Sequence, residues 1–298
     1  MDFSVIVDFL DDIFDLKKLK NGEMTDFSMM SRKELIPKSQ QNEFLSSFFN
    51  IMNGLLLQST EEVNSIVLST FLSDNVISEL SKKECQNSLL IVHHLFDMNC
   101  GTPDEMNGVP FHFISSKSIE IIKKNKISVY ASHLPFDLQE CRFNTSLAFA
   151  KKLNLSDTYS PLCLNSLKNI GYQTEIDFDI GSYLKRKFDT IYRYGNGEDS
   201  PMQQKKTAII AGVISNVDML KELEKQGFTH IICGDVFVCI PSERFRNIYE
   251  YIKKTNLCIY CLSHNLSESY GLEMLGACLS EQYKSISCEN IFENEVWK

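Results

Sequence analysis

The sequence predicts an α/β protein of two similar lobes, each a mainly parallel or mixed sheet flanked by helices. Short apolar runs, typical of strands buried on both faces, alternate with amphipathic helical stretches of about ten residues. This alternation occurs twice, once over residues 66–153 and again over residues 207–283. A strand–helix–strand order favours parallel strands joined by helical crossovers, so each series predicts its own sheet.

The first series follows two segments of a different kind. Residues 1–20 carry one apolar stripe at helical spacing and predict a helix, whereas residues 21–43 are polar and predict an irregular connector. Asn53-Gly54 is a turn dipeptide between two apolar stretches. The alternating elements then begin, with strands at 66–68, 89–92 and 127–132 and helices at 74–84, 115–124 and 144–153.

The second series repeats the order of the first. Its predicted strands and helices lie at 207–210, 216–226, 230–233, 244–254, 257–263 and 268–283, in alternation. Between the two series the chain is polar and rich in glycine and proline. We therefore predict an N-terminal lobe at 1–155, an inter-lobe bridge at 156–206 and a C-terminal lobe at 207–298.

Composition limits the classes of partner. The chain has 298 residues, 43% of them hydrophobic, and a net charge of −9, which disfavours binding to nucleic acid phosphates. Its apolar runs are too short to span a membrane, and no basic segment precedes an apolar one at the N-terminus. The ten cysteines lack regular spacing and are interpreted as core residues in a reducing compartment, so we expect a cytoplasmic protein.

Histidines follow three of the predicted strands. The run 89–92 leads into His93 and His94, and two other runs lead into His133 and His264. Open α/β sheets bind ligands at the carboxyl ends of their strands, which is where these imidazoles are expected. An acidic residue follows each of the last two histidines at the fourth position. The pattern Ser-His-x-x-x-acid occurs twice, whereas composition alone predicts about 0.08 occurrences.

These side chains are natural ligands for metal ions. Imidazole together with carboxylate favours zinc, manganese, iron, cobalt or nickel. The set exceeds what one tetrahedral ion uses and suits two divalent ions bridged by a carboxylate and a water. The predicted ligands are His93, His94, Asp137, His264 and Glu268.

The remaining three histidines are interpreted either as catalytic or as structural. His133 is a possible sixth ligand, and we assign it the catalytic role of a proton shuttle. His112 is interpreted as structural, and His230 as structural or surface-exposed. For the two carboxylates the alternative to metal binding is capping of a helix N-terminus.

No GxGxxG, HExxH, GxSxG or P-loop motif is present, so nucleotide-cofactor chemistry and covalent serine catalysis have no support.

The ordered combination of these segments resembles the NIF-three-like family, also known as the dinuclear-metal-centre or GTP cyclohydrolase type-two homologue family. The segments are Ile91-Val92-His93-His94, then Val129-Tyr130-Ala131-Ser132-His133-Leu134-Pro135-Phe136-Asp137, then Ser263-His264 with Glu268, supported by Asn53-Gly54-Leu55 and Gly234-Asp235. The resemblance spans about residues 50–285. This chain departs from the family pattern in three places. The early Trp-Asp is missing, Ser263 replaces a glycine, and a glycine-rich turn is reduced to Ala211-Gly212-Val213.

The resemblance implies two similar α/β lobes with a pair of transition-metal ions between them. Carried over by position, the family's ligands are the same five residues predicted above. The resemblance also implies a toroidal homohexamer, with the sites facing an inner cavity.

Two functions are consistent with the sequence. The first is a metal-dependent, cyclohydrolase-like hydrolase that attacks a small polar or nucleotide-like substrate through a metal-bridged hydroxide. The alternative is a non-catalytic regulatory or scaffold protein whose metals are structural, sensed or delivered. No residue of the sequence specifies the substrate.

Overall fold

The computed structural model describes residues 1–23, 33–98, 111–165, 170–199, 204–214, 216–236 and 243–292. The chain divides into two compact units. Of the described residues, the first unit contains 1–98, 111–143 and 272–292, and the second unit contains 144–271.

The described part of the chain alternates strands and helices, as the sequence predicts. The strands are β1 (Gly54–Leu57), β2 (Ser65–Phe71), β3 (Ser88–His94), β4 (Asp97–Met98), β5 (Phe111–His112), β6 (Ser128–Ala131), β7 (Ser160–Pro161), β8 (Tyr172–Ile176), β9 (Tyr192–Tyr194), β10 (Lys205–Val213), β11 (His230–Asp235), β12 (Cys258–Cys261) and β13 (Ser287–Asn290). The helices are α1 (Phe3–Ile13), α2 (Leu16–Lys20), α3 (Lys38–Gln41), α4 (Asp74–Lys82), α5 (Ser116–Lys124), α6 (Leu134–Asp137), α7 (Thr145–Leu153), α8 (Ile180–Lys187), α9 (Val217–Lys225), α10 (Glu243–Ile252) and α11 (His264–Gln282). No helix of these described segments is both long and apolar enough to cross a bilayer.

The first unit is built on a five-stranded sheet in the order β1-β6-β3-β2-β13. Strands β13, β2, β3 and β6 run parallel, and β1 pairs antiparallel with β6. Every residue of β3 is buried, which explains its continuous apolar run. The core joins side chains of the sheet to those of the N-terminal helix and the end of α11, among them Ile6, Leu10, Ile66, Leu89, Tyr130, Leu275 and Leu279.

The N-terminal amphipathic stretch forms two helices instead of the single predicted helix. Asp15 has φ 47°, a left-handed conformation that ends α1 and lets the chain turn before α2 begins. Both helices still bury their apolar side chains, because Leu10 of α1 and Leu16 of α2 are almost fully enclosed. The hydroxyl of Tyr130 donates a hydrogen bond of 3.0 Å to Asp11 and so ties α1 to strand β6.

The second unit contains a six-stranded sheet in the order β7-β8-β10-β11-β12-β9. Strands β10, β11 and β12 run parallel and form its centre, and the flanking strands β8 and β9 pair antiparallel with them. Helix α9 connects β10 to β11 and α10 connects β11 to β12, which is the crossover arrangement that the sequence predicts.

The two units share the same central topology, which confirms the predicted fold class. In each unit three parallel strands that are adjacent in the sheet are joined by helices, β2-β3-β6 in the first and β10-β11-β12 in the second. In each unit the third of these strands also has an antiparallel neighbour on its outer side, β1 or β9. Each sheet is therefore mixed with a parallel centre.

The unit bounds differ from the predicted domain bounds. The predicted bridge, residues 156–206, supplies β7, β8, β9 and α8 to the second unit. Residues 144–155 also belong to the second unit, because α7 precedes and packs with these elements. Residues 272–292 belong to the first unit, because β13 pairs with β2 in the register Ser287↔Ser65.

A buried polar cluster anchors the loop before β10 in the second unit. Asp199 accepts hydrogen bonds from the Tyr260 hydroxyl at 2.6 Å and from the Gly181 N–H at 2.7 Å. One of its carboxylate oxygens lies 3.4 Å from His230 Nε2 and 3.7 Å from Lys205 Nζ. Lys205 is 2% exposed and His230 is 1% exposed, so the cluster is enclosed within the unit. It confirms His230 as a structural residue in the interior.

The buried imidazole of His230 is expected to make stability fall in mild acid. Burial lowers its pKa from 6.5 to about 4, against the opposing attraction of Asp199. Its stabilising contribution is therefore complete above pH 6.5 and is lost as the pH falls towards 4, because the unfolded chain binds the proton first. The loss attributable to this group is about 3 kcal/mol, at 1.36 kcal/mol per pKa unit.

The measurement is the free energy of unfolding by urea between pH 7 and pH 4. In His230→Gln the decrease should be smaller than in the wild type by up to about 3 kcal/mol. The control is His112→Gln, which replaces an exposed histidine and should leave the wild-type pH profile unchanged. Equal pH profiles for His230→Gln and wild type would contradict the expectation.

Candidate functional site

Three of the predicted histidines lie together in the first unit. The nitrogen ligand atoms of His93, His94 and His133 are all within 4.8 Å of one another. Their ring centroids are separated by 4.3 Å, 5.1 Å and 5.0 Å. His93 and His94 end β3 itself, so both belong to the strand and do not follow it as the sequence predicted. Both are buried, and His133 is half-buried.

The surrounding residues of the first unit fix the orientation of these imidazoles. Nδ1 of His93 lies 2.9 Å from the backbone oxygen of Ser132. Because a carbonyl oxygen only accepts, Nδ1 carries the proton and Nε2 is the nitrogen with a lone pair for a ligand bond. The ring of His94 stacks on Phe71 with centroids 5.0 Å apart. Asn53 Oδ1 accepts a 2.8 Å hydrogen bond from the His133 N–H and holds that loop at the end of β6.

Asp137 completes the group in the first unit. Its Oδ1 lies 3.5 Å from His93 Nε2, and its side chain is 16% exposed. As the sequence predicts, this residue lies in the first turn of a helix, the four-residue α6 that starts after His133 and that Asp137 ends. We call His93, His94, His133 and Asp137 the first-unit ligand group.

His264 and Glu268 lie together in the second unit. The predicted helix begins at about residue 268, but α11 begins four residues earlier, at His264. The two side chains are thus one helical turn apart, with His264 Nε2 3.0 Å from Glu268 Oε1. Both are buried. Glu268 lies beyond the first turn of α11, so capping of the helix N-terminus does not account for it. We call these two residues the second-unit ligand pair.

Two glycines and a serine set the position of this pair. A Cβ atom at Gly212 would overlap Glu268 Oε1, and one at Gly234 would overlap the Ser267 hydroxyl. The Ser267 hydroxyl accepts a 2.9 Å hydrogen bond from the Gly212 N–H and donates one of 2.9 Å to the His264 carbonyl. Ser267 is not among the site residues that the sequence predicts. A small hydroxyl residue between two predicted ligands on one helix is the only indication that the sequence offers.

Ser263 precedes the pair in a backbone conformation that favours glycine. Its φ is 133°, in the region that L-residues rarely occupy, and the family pattern has glycine here. Such a conformation costs on the order of 1–3 kcal/mol. The hydroxyl offsets part of that cost, since it accepts a 3.1 Å hydrogen bond from the Leu266 N–H at the start of α11. The serine thus supplies a helix cap that glycine would lack.

The cysteines near this pair have the environment of core residues. Cys261 lies 3.6 Å from Cys233 across the paired strands β12 and β11, measured between the sulfur atoms. Burial raises the pKa of the Cys261 thiol well above its usual value, and burial also raises that of Cys258. Protonated thiols are poor nucleophiles and poor metal ligands. This agrees with the interpretation of the cysteines as core residues.

The residue types in both groups fit a divalent transition metal. Neutral imidazole and carboxylate are borderline ligands that suit zinc, manganese, iron, cobalt and nickel. Burial excludes competing water, and the hydrogen bond from His93 to a backbone carbonyl is the outer contact that metal-binding histidines commonly make. The described part of the chain therefore contains histidine and acidic groups that could bind metal ions.

The fold and these groups define an α/β protein of two topologically similar units with candidate metal ligands at strand ends. The chain belongs to the Duf34/NIF3 (NGG1p interacting factor 3) family, which it matches over residues 43–295. This confirms the resemblance inferred from the sequence.

A curated relative supports the same assignment. The GTP cyclohydrolase 1 type 2 homolog of Ureaplasma parvum is 29% identical over 165 residues. The match covers 54% of this chain and spans 59% of the length of that relative.

Solved structures share the fold along nearly the whole chain. Reduced HcgD from Methanocaldococcus jannaschii has a TM-score of 0.61 and 17% identity, covering 97% of each chain. TTHA1606 from Thermus thermophilus has a TM-score of 0.58 and 17% identity, covering 98% of this chain and 97% of its own. At this identity the similarity establishes the fold.

Proposed function

We propose that this chain is a metal-dependent hydrolase that binds two divalent transition-metal ions and acts on a small polar, possibly nucleotide-like, substrate. The proposed ligands are His93, His94, Asp137, His264 and Glu268. The observation that carries the proposal is the first-unit ligand group, where His93, His94 and His133 place their ligand atoms within 4.8 Å of one another. The cyclohydrolase name of the Ureaplasma parvum relative supports a hydrolytic reaction.

Each residue has a definite task in this proposal. Bound ions would supply Lewis acidity, polarising the substrate and lowering the pKa of water. His93 is oriented for ligation by its Nδ1 hydrogen bond to Ser132. His133 lies beside both histidines but is more exposed, so one of its ring nitrogens is placed to accept or donate a proton. Ser267 holds the first turn of α11 and thereby orients Glu268.

The first test is metal content by elemental analysis after reconstitution with zinc or manganese. We expect about two ions per chain in the wild type and no more than one in His94→Ala. His112→Ala, which changes an exposed histidine, is the matched control and should keep both ions. Fewer than two ions in the wild type, or an unchanged content in His94→Ala, would refute the dinuclear assignment.

The second test is turnover by the metal-loaded protein on a panel of phosphoester, amide and cyclic substrates. His133→Gln should keep its metal content and lose about 10²–10⁴-fold in rate, the usual contribution of a general acid–base group. If the fully loaded wild type hydrolyses nothing in the panel, the chain is a non-catalytic metal-binding protein.

A further inference from the structure

We propose that Asn53 is a positioning residue, which holds the loop of His133 so that its imidazole is placed for proton transfer. The inference rests on the proposed function, because that function assigns the proton transfer to His133. Asn53 directly precedes β1, whereas His133 lies two residues beyond the end of β6. Both residues belong to the first unit.

The pairing of β1 with β6 brings Asn53 to the loop that contains His133. The two strands are antiparallel, with Gly54 opposite Ala131. The next residue along each strand, Asn53 on one side and Ser132 on the other, therefore also lie beside each other. From this position Asn53 Oδ1 accepts a 2.8 Å hydrogen bond from the His133 N–H. The contact thus follows from the strand register.

The backbone on both sides of Asn53 is in the left-handed region. Met52 has φ 53°, which is uncommon for a residue with a side chain, and Gly54 has φ 100°. Asn53 itself closes this turn, because its Nδ2 donates a 3.0 Å hydrogen bond to the Ile51 carbonyl. Strained backbone persists only where surrounding contacts hold it, and it concentrates at functional sites. This turn holds a buried amide, 2% exposed, against the backbone of His133.

The position of His133 depends on this contact because its own helix supports it only weakly. His133 precedes α6, a helix of four residues, and its side chain does not cap that helix. Its backbone, with φ −99° and ψ −91°, is neither helical nor extended. Without the oxygen of Asn53 its N–H would need another acceptor, so the loop would shift. The imidazole would move with the backbone and lose its present stacking on His93, where the centroids are 5.1 Å apart.

Loss of the amide should affect turnover more than binding. His93 and His94 are residues of β3 itself, whereas His133 lies in a loop, so a loop shift displaces the proton donor and acceptor more than these two ligands. A misplacement of about 1 Å can lower a rate about 10²-fold. We therefore expect removal of the amide to lower kcat by about 10²-fold, with little change in KM or in metal content.

The experiment compares the metal-loaded full chain carrying Asn53→Ala or Asn53→Asp with the wild type. Steady-state kinetics gives kcat and KM, and peptide mass spectrometry gives the rate at which diethyl pyrocarbonate modifies each histidine. In Asn53→Ala we expect His133 to be modified several-fold faster, because its loop is released, while the exposed His112 reacts at its wild-type rate. Asn53→Asp keeps an oxygen acceptor for the His133 N–H, so it should restore both kcat and the slow modification.

Two further variants separate positioning from a general loss of stability. Ser115→Ala removes the hydroxyl that caps α5 through the Ser118 N–H, which destabilises a helix start in the same unit. It should leave kcat and the modification of His133 unchanged. Asn53→Ser has a side-chain oxygen one bond closer to the backbone and should behave like Asn53→Ala, so the test does not depend on the folding of one variant. Circular dichroism and urea unfolding establish which variants are folded.

The outcomes separate this inference from the proposed function. If the wild type turns over a substrate but Asn53→Ala matches Ser115→Ala in kcat and in the modification of His133, the positioning role is refuted and the hydrolase proposal stands. A fall in kcat that Asn53→Asp does not reverse, or a loss of bound metal in Asn53→Ala, also overturns the inference. If the wild type hydrolyses nothing, the hydrolase proposal fails, and the modification rates alone decide whether Asn53 holds His133.

Discussion

Substitution of Gly212 by alanine is expected to lower metal affinity by about 10- to 100-fold, the usual effect of disturbing a residue that orients a ligand. The new methyl group would overlap Glu268 Oε1 and lie 3.5 Å from His264 Nε2. The carboxylate must then rotate away or helix α11 must shift. Either change would disrupt the present geometry of the second-unit ligand pair.

Gly227→Ala is the matched control for this prediction. Gly212 and Gly227 have similar positive φ values, 73° and 81°, so alanine costs backbone energy of about 1 kcal/mol at each. A Cβ at Gly227 would meet no atom within 4 Å, so only the backbone cost applies there. Zinc affinity, measured by competition with a chromogenic chelator, should fall in Gly212→Ala alone. Equal affinities in the two variants would show that the contact with Glu268 does not matter.

Asp199→Ala is expected to lower the free energy of unfolding by about 3–5 kcal/mol, the cost of removing one partner from a buried ion pair. The substitution takes the acceptor away from the Tyr260 hydroxyl and the Gly181 N–H. It also leaves the ammonium of Lys205, 2% exposed, without its carboxylate neighbour. Removal of the carboxylate beside this buried ammonium accounts for most of the effect, although Lys205 keeps its 3.0 Å hydrogen bond to the Phe178 carbonyl.

The measurement is urea unfolding followed by circular dichroism at pH 7. Asp218→Ala is the control, because Asp218 is also paired with a lysine, Lys221, but its side chain is 71% exposed. That exposed pair should contribute less than about 1 kcal/mol. A loss in Asp199→Ala as small as that in Asp218→Ala would mean that the cluster is not a stabilising feature.

The sequence predicts the secondary structure well wherever the burial of the residues agrees with their local pattern. The strand that contains His93 and the strands that precede His133 and His264 were predicted within a few residues, because their apolar runs are continuous. Helix α5 was predicted to within one residue, since Ser115 caps it and lysines end it. The histidines and acids were identified from spacing, and the structure groups them within each unit. The assembly as a hexamer stays a prediction.

The sequence predicts the secondary structure poorly where tertiary contacts override the local pattern. Strand β8 alternates buried and exposed residues and contains Gln173 and Glu175, so its segment was interpreted as polar bridge. Strand β13 has no fully buried residue, and its pairing with β2 alone defines it. The start of α11 was missed because its first turn is polar and its cap, Ser263, has a φ that only packing enforces. No pattern in the sequence around Lys205 or Asp199 indicates that these residues lie in a buried cluster.

Strand β13 lies near the end of the chain but belongs to the sheet of the first unit, and this has a consequence for synthesis on the ribosome. Residues 144–271, which belong to the second unit, are synthesised before Ser287–Asn290. Strand β2 has β3 on one edge, and its other edge has no partner in the sheet until β13 has been synthesised. An unpaired strand edge is a template for association with other chains. The partner strand of that edge is therefore missing throughout the synthesis of residues 144–271.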